Sequence, residues 1–213
     1  MSLSWRDRVV VALEPQAAHA VRPKSGERRT AAGAWPQALK EVLAGWARAD
    51  VTVVASNRLV RYVVVPRTAG VSGEAEELAL ARHHFTRVHG ERVREWDVRY
   101  SRETGLASAI DRELIDALRK AARLKSLQPY LMAAFNRLRA RIPKEGAWIV
   151  LPEAQATCVA LYAKGAWAGV SVSRATGSAA VERERLRMGS AQAPGTVLTP
   201  AGHDGYAMAL TAR

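Results

Sequence analysis

Two distant stretches of the chain share one pattern: VVVALEPQAAHAVR at Val9–Arg22 and WIVLPEAQATCVALY at Trp148–Tyr162. Each runs from an apolar strand into a turn built from Leu, Glu and Pro, passes a Gln, and returns through small residues into a second apolar run. The pattern predicts an antiparallel hairpin in both places. A lone hairpin is marginal in water, so each needs further strands or a helix to cover it. The recurrence therefore points to a chain of two similar halves.

Length allows this. The 213 residues suffice for one large domain or two small ones sharing a core. Hydrophobic residues at 48% and charged residues at 24% are the balance of an ordinary globular protein. No apolar run approaches the ~20 residues of a membrane helix, and Met1–Arg8 lacks the apolar stretch of a signal peptide. The single cysteine, Cys158, excludes an internal disulfide. A cytoplasmic location is expected.

Charge is the strongest compositional signal, at +12. It is concentrated: Arg112–Lys144 holds nine basic residues against Glu113 and Asp116. Arg119, Lys120, Arg123, Lys125, Arg137, Arg139 and Arg141 are the candidate basic surface. Such a face can meet nucleic acid, an anionic membrane or an acidic partner. The plainer reading is a solvated helix surface, because the cations are not interleaved with the exposed aromatics that single-strand binders use.

Along the chain, Val9–Leu13 and His19–Arg22 read as strands, and Lys24–Thr30 as a loop. Trp35, Leu39, Val42, Leu43 and Trp46 recur at helical spacing behind Pro36. Val51–Ala55 and Leu59–Val65 are strands around Ser56-Asn57-Arg58. Glu74–His89 reads as a helix with acids at its start and Gly90 as its stop. Trp96, Val98 and Tyr100 alternate as in a half-buried strand, and Ala107–Ile110 suggests another. Asp111 is expected in the first turn of a helix carrying Leu114, Ile115 and Leu118 inward. Leu124–Leu127 reads as a short strand, and Pro129 as the start of a helix with Leu131, Ala134, Phe135, Leu138 and Ile142 inward. After Pro143–Gly146 the segments Trp148–Leu151, Thr157–Tyr162 and Trp167–Ser173 form a meander turning at Lys164-Gly165. Val181–Met188 is expected as a short basic helix or linker, Ser178–Ala193 as a tail, and Tyr206–Leu210 as a last strand. The halves fall at 1–145 and 146–213.

Three segments carry a resemblance: VVASNRLVRYVVVP (Val53–Pro66), LARHHFTRVHGERVREWDVRYS (Leu80–Ser101) and SLQPYLMAAFNRLR (Ser126–Arg139). Over roughly residues 5–175 the chain resembles bacterial PilM-type assembly proteins of type IV pili, their MSHA pilus counterparts, and the cytoplasmic domain of the type II secretion L protein. The resemblance implies an actin-like (ribonuclease H-like) α/β fold, with five-stranded mixed sheets flanked by helices and a truncated second half. It also implies a non-catalytic scaffold that receives the cytoplasmic tail of a PilN-type inner-membrane partner. Actin-like hairpin turns carry an Asp-x-Gly, whose Asp handles metal and phosphate while the Gly lets backbone amides approach closely. Laid over this chain, that motif puts Ala12 and Leu151 at the acid and Glu14 and Glu153 at the glycine, with Pro152 between the latter pair. Neither turn contains Asp or Gly. A carboxylate facing a phosphate is repulsive without an intervening metal. No enzymatic activity, cofactor or nucleotide binding is expected.

Other chemistry is sparse. His83, His84 and His89 are not at the i, i+4 spacing that chelates a metal on one helix face. Cys158 lies in an apolar strand, where a buried thiol is inert. Gly202-His203-Asp204-Gly205-Tyr206 holds a His-Asp pair with no nucleophile elbow to serve. The chain also lacks a phosphate-binding Gly-rich loop of either common kind. No catalytic or metal-binding residue is assigned. The second reading is a nucleic-acid-binding or regulatory protein using the basic 112–144 face.

Overall fold

The computed structural model describes residues 8–46, 48–66, 73–175, 177–188 and 194–200. In chain order the first elements are β1 (Arg8–Glu14), β2 (Ala17–Val21), β3 (Arg28–Ala32), α1 (Trp35–Val42), β4 (Asp50–Ala55) and β5 (Val60–Val64). Next come α2 (Glu74–His89), β6 (Trp96–Ser101), β7 (Leu106–Asp111), α3 (Arg112–Ala121), β8 (Arg123–Pro129) and α4 (Tyr130–Leu138). The series ends with β9 (Ala147–Glu153), β10 (Ala156–Ala163), β11 (Ala166–Ser173), α5 (Gly177–Met188) and β12 (Val197–Leu198).

These elements form two compact units, one holding described residues 8–59 and 113–137, the other residues 60–112 and 138–200. The units interleave along the chain, whereas the halves expected from sequence, 1–145 and 146–213, follow chain order.

The first unit is built on a five-stranded sheet of order β3-β2-β1-β4-β8. The β1–β2 and β2–β3 pairs are antiparallel, and β1–β4 and β4–β8 are parallel. Central strands buried on both faces need continuous apolar runs, which explains Val9–Leu13 and Val51–Ala55. On α1, Ala38, Leu39 and Val42 are buried, with Leu43 and Trp46 just beyond. Helix α4 starts where Asn57 Oδ1 accepts the Leu131 N–H at 3.0 Å, so a residue 74 positions upstream caps its first turn.

The second unit holds two sheets. In one, β5-β7-β6 is fully antiparallel, with α2 packed against it. Its core joins Phe85 and Ala81 of α2 to Val65, Val93, Trp96, Val98, Ala107 and Ala109. In the other, of order β11-β10-β9-β12, β9–β11 form an antiparallel meander and the two-residue β12 runs parallel to β9. The β10–β11 turn has Lys164 and Gly165 at φ 52° and 79°, the double positive φ of a two-residue hairpin turn with the twist strands prefer. The Trp167 N–H donates to the Thr104 carbonyl at 2.9 Å and links the two sheets.

The four-stranded sheet repeats the first four strands of the five-stranded one: meander, helix, then a parallel strand beside the first. Among the described residues it has no counterpart to β8. Five-stranded sheets are expected from sequence, and among the described residues only the first sheet reaches five strands.

Several local expectations are corrected. Residues Arg28–Thr30, expected within a loop, lie in β3. This strand pairs only with β2 and buries only Ala31, so it has no apolar period to read. Asp111 ends β7 rather than opening a helix, because pairing opposite Trp96 holds it extended while Arg61 donates to it at 3.1 Å. Pro129 closes β8 opposite Ala55, an edge position where a missing N–H is tolerated, and α4 begins one residue later. Ile142 lies beyond that helix and is only half-buried. Residues Ser178–Met188, read partly as tail, belong to α5. Tyr206–Leu210 lies outside the described residues.

Candidate functional site

The two hairpin turns are equivalent in register. β1 and β2 close at the pair Glu14↔Ala17, and β9 and β10 close at Glu153↔Ala156. Each turn therefore has two residues, Pro15-Gln16 in one and Ala154-Gln155 in the other. The positions where the actin-like motif has its acid are occupied by Ala12, opposite His19, and Leu151, opposite Cys158. Both are fully buried. A carboxylate placed there would have to leave water without a partner.

In the first turn, Glu14 is diagonal to His19 across the β1–β2 pair, and its Oε1 lies 3.3 Å from His19 Nε2. His19 Nδ1 lies 3.1 Å from the Thr30 hydroxyl on β3, which is directly opposite it. A carboxylate, an imidazole and a hydroxyl thus cross three strands on one face. Behind them the carbonyls of Gln16 and Pro15 accept the Gly33 and Trp35 N–H groups at 3.0 and 3.1 Å, anchoring the turn to the start of α1. The sequence showed the missing Asp and Gly. It did not show that Glu14 engages His19, since that contact depends on strand register.

In the second turn, Cys158 is fully buried, and burial, followed by the nearby Glu153 charge, pushes its thiol well above the usual range. This keeps it in the unreactive thiol form.

The candidate basic residues are exposed, and the units divide them. Arg119 and Lys120 end α3, Arg123 and Lys125 lie on β8, and Arg137 is on α4, all in the first unit. Arg139 and Arg141 follow α4 in the second unit. Arg123 and Lys125 share one carboxylate, Asp50 on β4, at 3.2 and 3.7 Å. Arg119 lies 3.6 Å from Asp116.

The histidines of α2 play separate parts. His83 is exposed, His84 half-buried, and the His89 ring packs edge-on against Trp96 at 5.0 Å. Burial, then the charges of Arg61 and Arg92, hold His89 below its ordinary pKa. Among the described residues no cluster of three or more His, Cys, Asp or Glu is placed to hold a metal. Gly202–Tyr206 lies outside the described residues. Among those residues no helix is long and apolar enough to cross a membrane.

No protein-family model matches the chain, and no curated protein matches it. Solved structures do. The cytoplasmic domain of EpsL, an inner membrane component of the type II secretion system of Vibrio cholerae, is similar at TM-score 0.56 and 16% identity, over 92% of this chain and 83% of that one. A Bacteroides thetaiotaomicron protein with actin-like ATPase fold and unknown function is similar at TM-score 0.57 and 9% identity, over 86% and 76%. The PilM-PilN type IV pilus biogenesis complex is similar at TM-score 0.55 and 17% identity, over 87% and 67%. With the repeated β-meander, helix and parallel strand of its two sheets, the chain has the actin-like fold.

Proposed function

We propose that this protein is a non-catalytic scaffold of a type II secretion or type IV pilus assembly platform, acting at the cytoplasmic side of the inner membrane. Its partner in this reading is the cytoplasmic tail of a PilN-type inner-membrane protein. The observation that carries the proposal is the pair of hairpin turns. Where actin-like turns carry Asp-x-Gly, both turns here have a buried apolar residue followed two positions later by a glutamate, in equivalent register to one another. At the first turn Glu14 stands at the motif's glycine position, and a carboxylate beside a nucleotide phosphate would repel it without an intervening metal. The residues do not fit a nucleotide phosphate there.

The likeness to the EpsL cytoplasmic domain and to the PilM-PilN complex supports the assembly role. A scaffold that captures a tail needs a groove or a sheet edge but no reacting groups. A short segment ordered on binding gives about micromolar affinity, because ordering offsets much of the contact energy.

Two measurements test the reading. Calorimetry with Mg²⁺ and ATP should show no saturable binding, and a saturable isotherm would restore the ATPase alternative. Pull-down with the cytoplasmic tail of the inner-membrane protein encoded beside this one should succeed where a scrambled tail does not. Equal failure of both peptides with folded protein would remove the scaffold reading.

A further inference from the structure

The candidate cations are not equivalent once the structure places them. Arg119, Lys120, Arg123 and Lys125 fall within seven residues, at the end of α3, the turn after it and the start of β8. All four are exposed. Between Asp116 and Glu145 the chain has no acidic residue. Two carboxylates oppose the four cations among the described residues. Asp116 meets Arg119 at 3.6 Å with both side chains more than 60% exposed, a contact that water largely screens. Asp50, only 22% exposed, must serve both Arg123 and Lys125. The segment therefore keeps a positive field after its ion pairs are counted.

We infer that the α3–β8 segment, residues 119–125, is the face of this protein that rests on an anionic phospholipid surface. The inference rests on the proposed role at a membrane and names the surface that would meet it. Three features favour lipid over nucleic acid. No aromatic residue lies between Arg119 and Gln128, so there is no platform for base stacking. Four cations, two of them sharing Asp50, are fewer than the ~6–10 phosphate contacts of a protein that holds duplex DNA firmly. A fluid leaflet imposes no spacing, because its headgroups move to the charges, whereas a duplex demands a fixed phosphate geometry.

The test is sedimentation of the full chain with vesicles of phosphatidylcholine alone and of phosphatidylcholine mixed with phosphatidylglycerol. Binding to the mixed vesicles only is expected, weakening as salt rises. The double variant Arg119→Gln/Lys120→Gln should weaken it about tenfold or more, at ~1 kcal/mol per cation near a charged surface. The double variant Arg87→Gln/Arg94→Gln removes the same charge from exposed positions in the second unit and should leave binding near wild type. Equal losses in both variants would reduce the effect to net charge and overturn the assignment, as would equal binding to neutral vesicles. A short DNA duplex that binds more tightly than the mixed vesicles at physiological salt would also overturn it, in favour of nucleic acid. Tail-peptide binding is measured without vesicles on the same variants. Loss of vesicle binding with tail binding intact refers to this surface alone, whereas loss of tail binding in wild type refers to the scaffold role.

Discussion

The two meanders β1–β3 and β9–β11 are each crossed by one helix before the parallel strand that follows, and the two helices do the job differently. Helix α1 brings Leu39 and Val42 to its sheet, and the chain beyond it adds Leu43 and Trp46, all buried. Trp46 is then clamped: the Arg29 and Arg22 guanidiniums lie 3.8 and 4.9 Å from its ring, and Glu27 pairs with both at 2.9 and 3.3 Å. Helix α5 brings Ala180, Val181 and Glu184, while its Leu186 is 83% exposed. There the bulk comes from the sheet, from Trp148, Val150, Val159 and Leu161. The Trp148 Nε1–H and the Thr157 hydroxyl on that sheet have no hydrogen-bond partner among the described residues. One topology thus supports a helix that supplies the core and a helix that only covers it. Topology fixes where a helix lies, and side-chain volume decides how firmly it is held.

The largest expected effect is at Trp46. Trp46→Ala should lower unfolding free energy by about 3–5 kcal/mol, since it opens a cavity and leaves two arginines without their ring. Urea denaturation followed by circular dichroism measures it, and a loss below about 1 kcal/mol would undo the contrast. Next comes the paired test of the helices. Leu39→Ala should cost about 2–5 kcal/mol and Val181→Ala about 1–2 kcal/mol, from the apolar volume each removes. Equal losses would mean that α5 is held as firmly as α1.

A smaller effect of opposite sign is expected at Glu184. Its carboxylate is 6% exposed and accepts from Arg187 at 2.7 Å, while Arg187 is 57% exposed. Glu184→Leu should stabilise by up to about 1 kcal/mol, because it removes a desolvated charge and leaves a cation that water can hold. Destabilisation in the same assay would show that α5 depends on this pair. The smallest effect concerns pH, and it sets both helices against α2, the helix that ends on a histidine. The His89 pKa in the fold lies below its ordinary 6.5, so the unfolded chain binds the proton more readily. Stability should fall as pH drops through 6.5 towards the folded value and level off below it. The ring is half-buried and solvent still screens it in part, which keeps the slope shallow. His89→Gln should abolish it in a pH series of urea midpoints, and an unchanged slope would assign the pH dependence to other groups.

What was legible in sequence follows the same division. Strands with continuous apolar runs, the Lys164-Gly165 turn and the Gly90 stop of α2 are local signals, and the structure keeps them. Gly90 adopts φ 63° and donates to the Thr86 carbonyl. What escaped was set by distant partners. β3 is a strand because β2 offers it a ladder, and Asp111 is extended because β6 and Arg61 hold it there. Asn57 looks like a polar turn residue, yet it is 1% exposed and caps α4. At the candidate site the absent Asp and Gly could be counted along the turns. The Glu14–His19 contact needed the strand register, and the sharing of Asp50 by Arg123 and Lys125 needed the β4–β8 pairing.

That pairing also has a consequence for synthesis. Strand β4 is complete at Ala55, but its neighbour β8 begins 68 positions later, at Arg123. At about 5–20 residues per second, a ribosome leaves the far edge of β4 without its neighbour for roughly 3–14 s. During that interval Val51–Ala55 is an apolar strand with one side open, the kind of edge that associates with other chains. The excursion through β5, α2, β6 and β7 is made before that edge closes, so its length sets how long the nascent protein needs shielding.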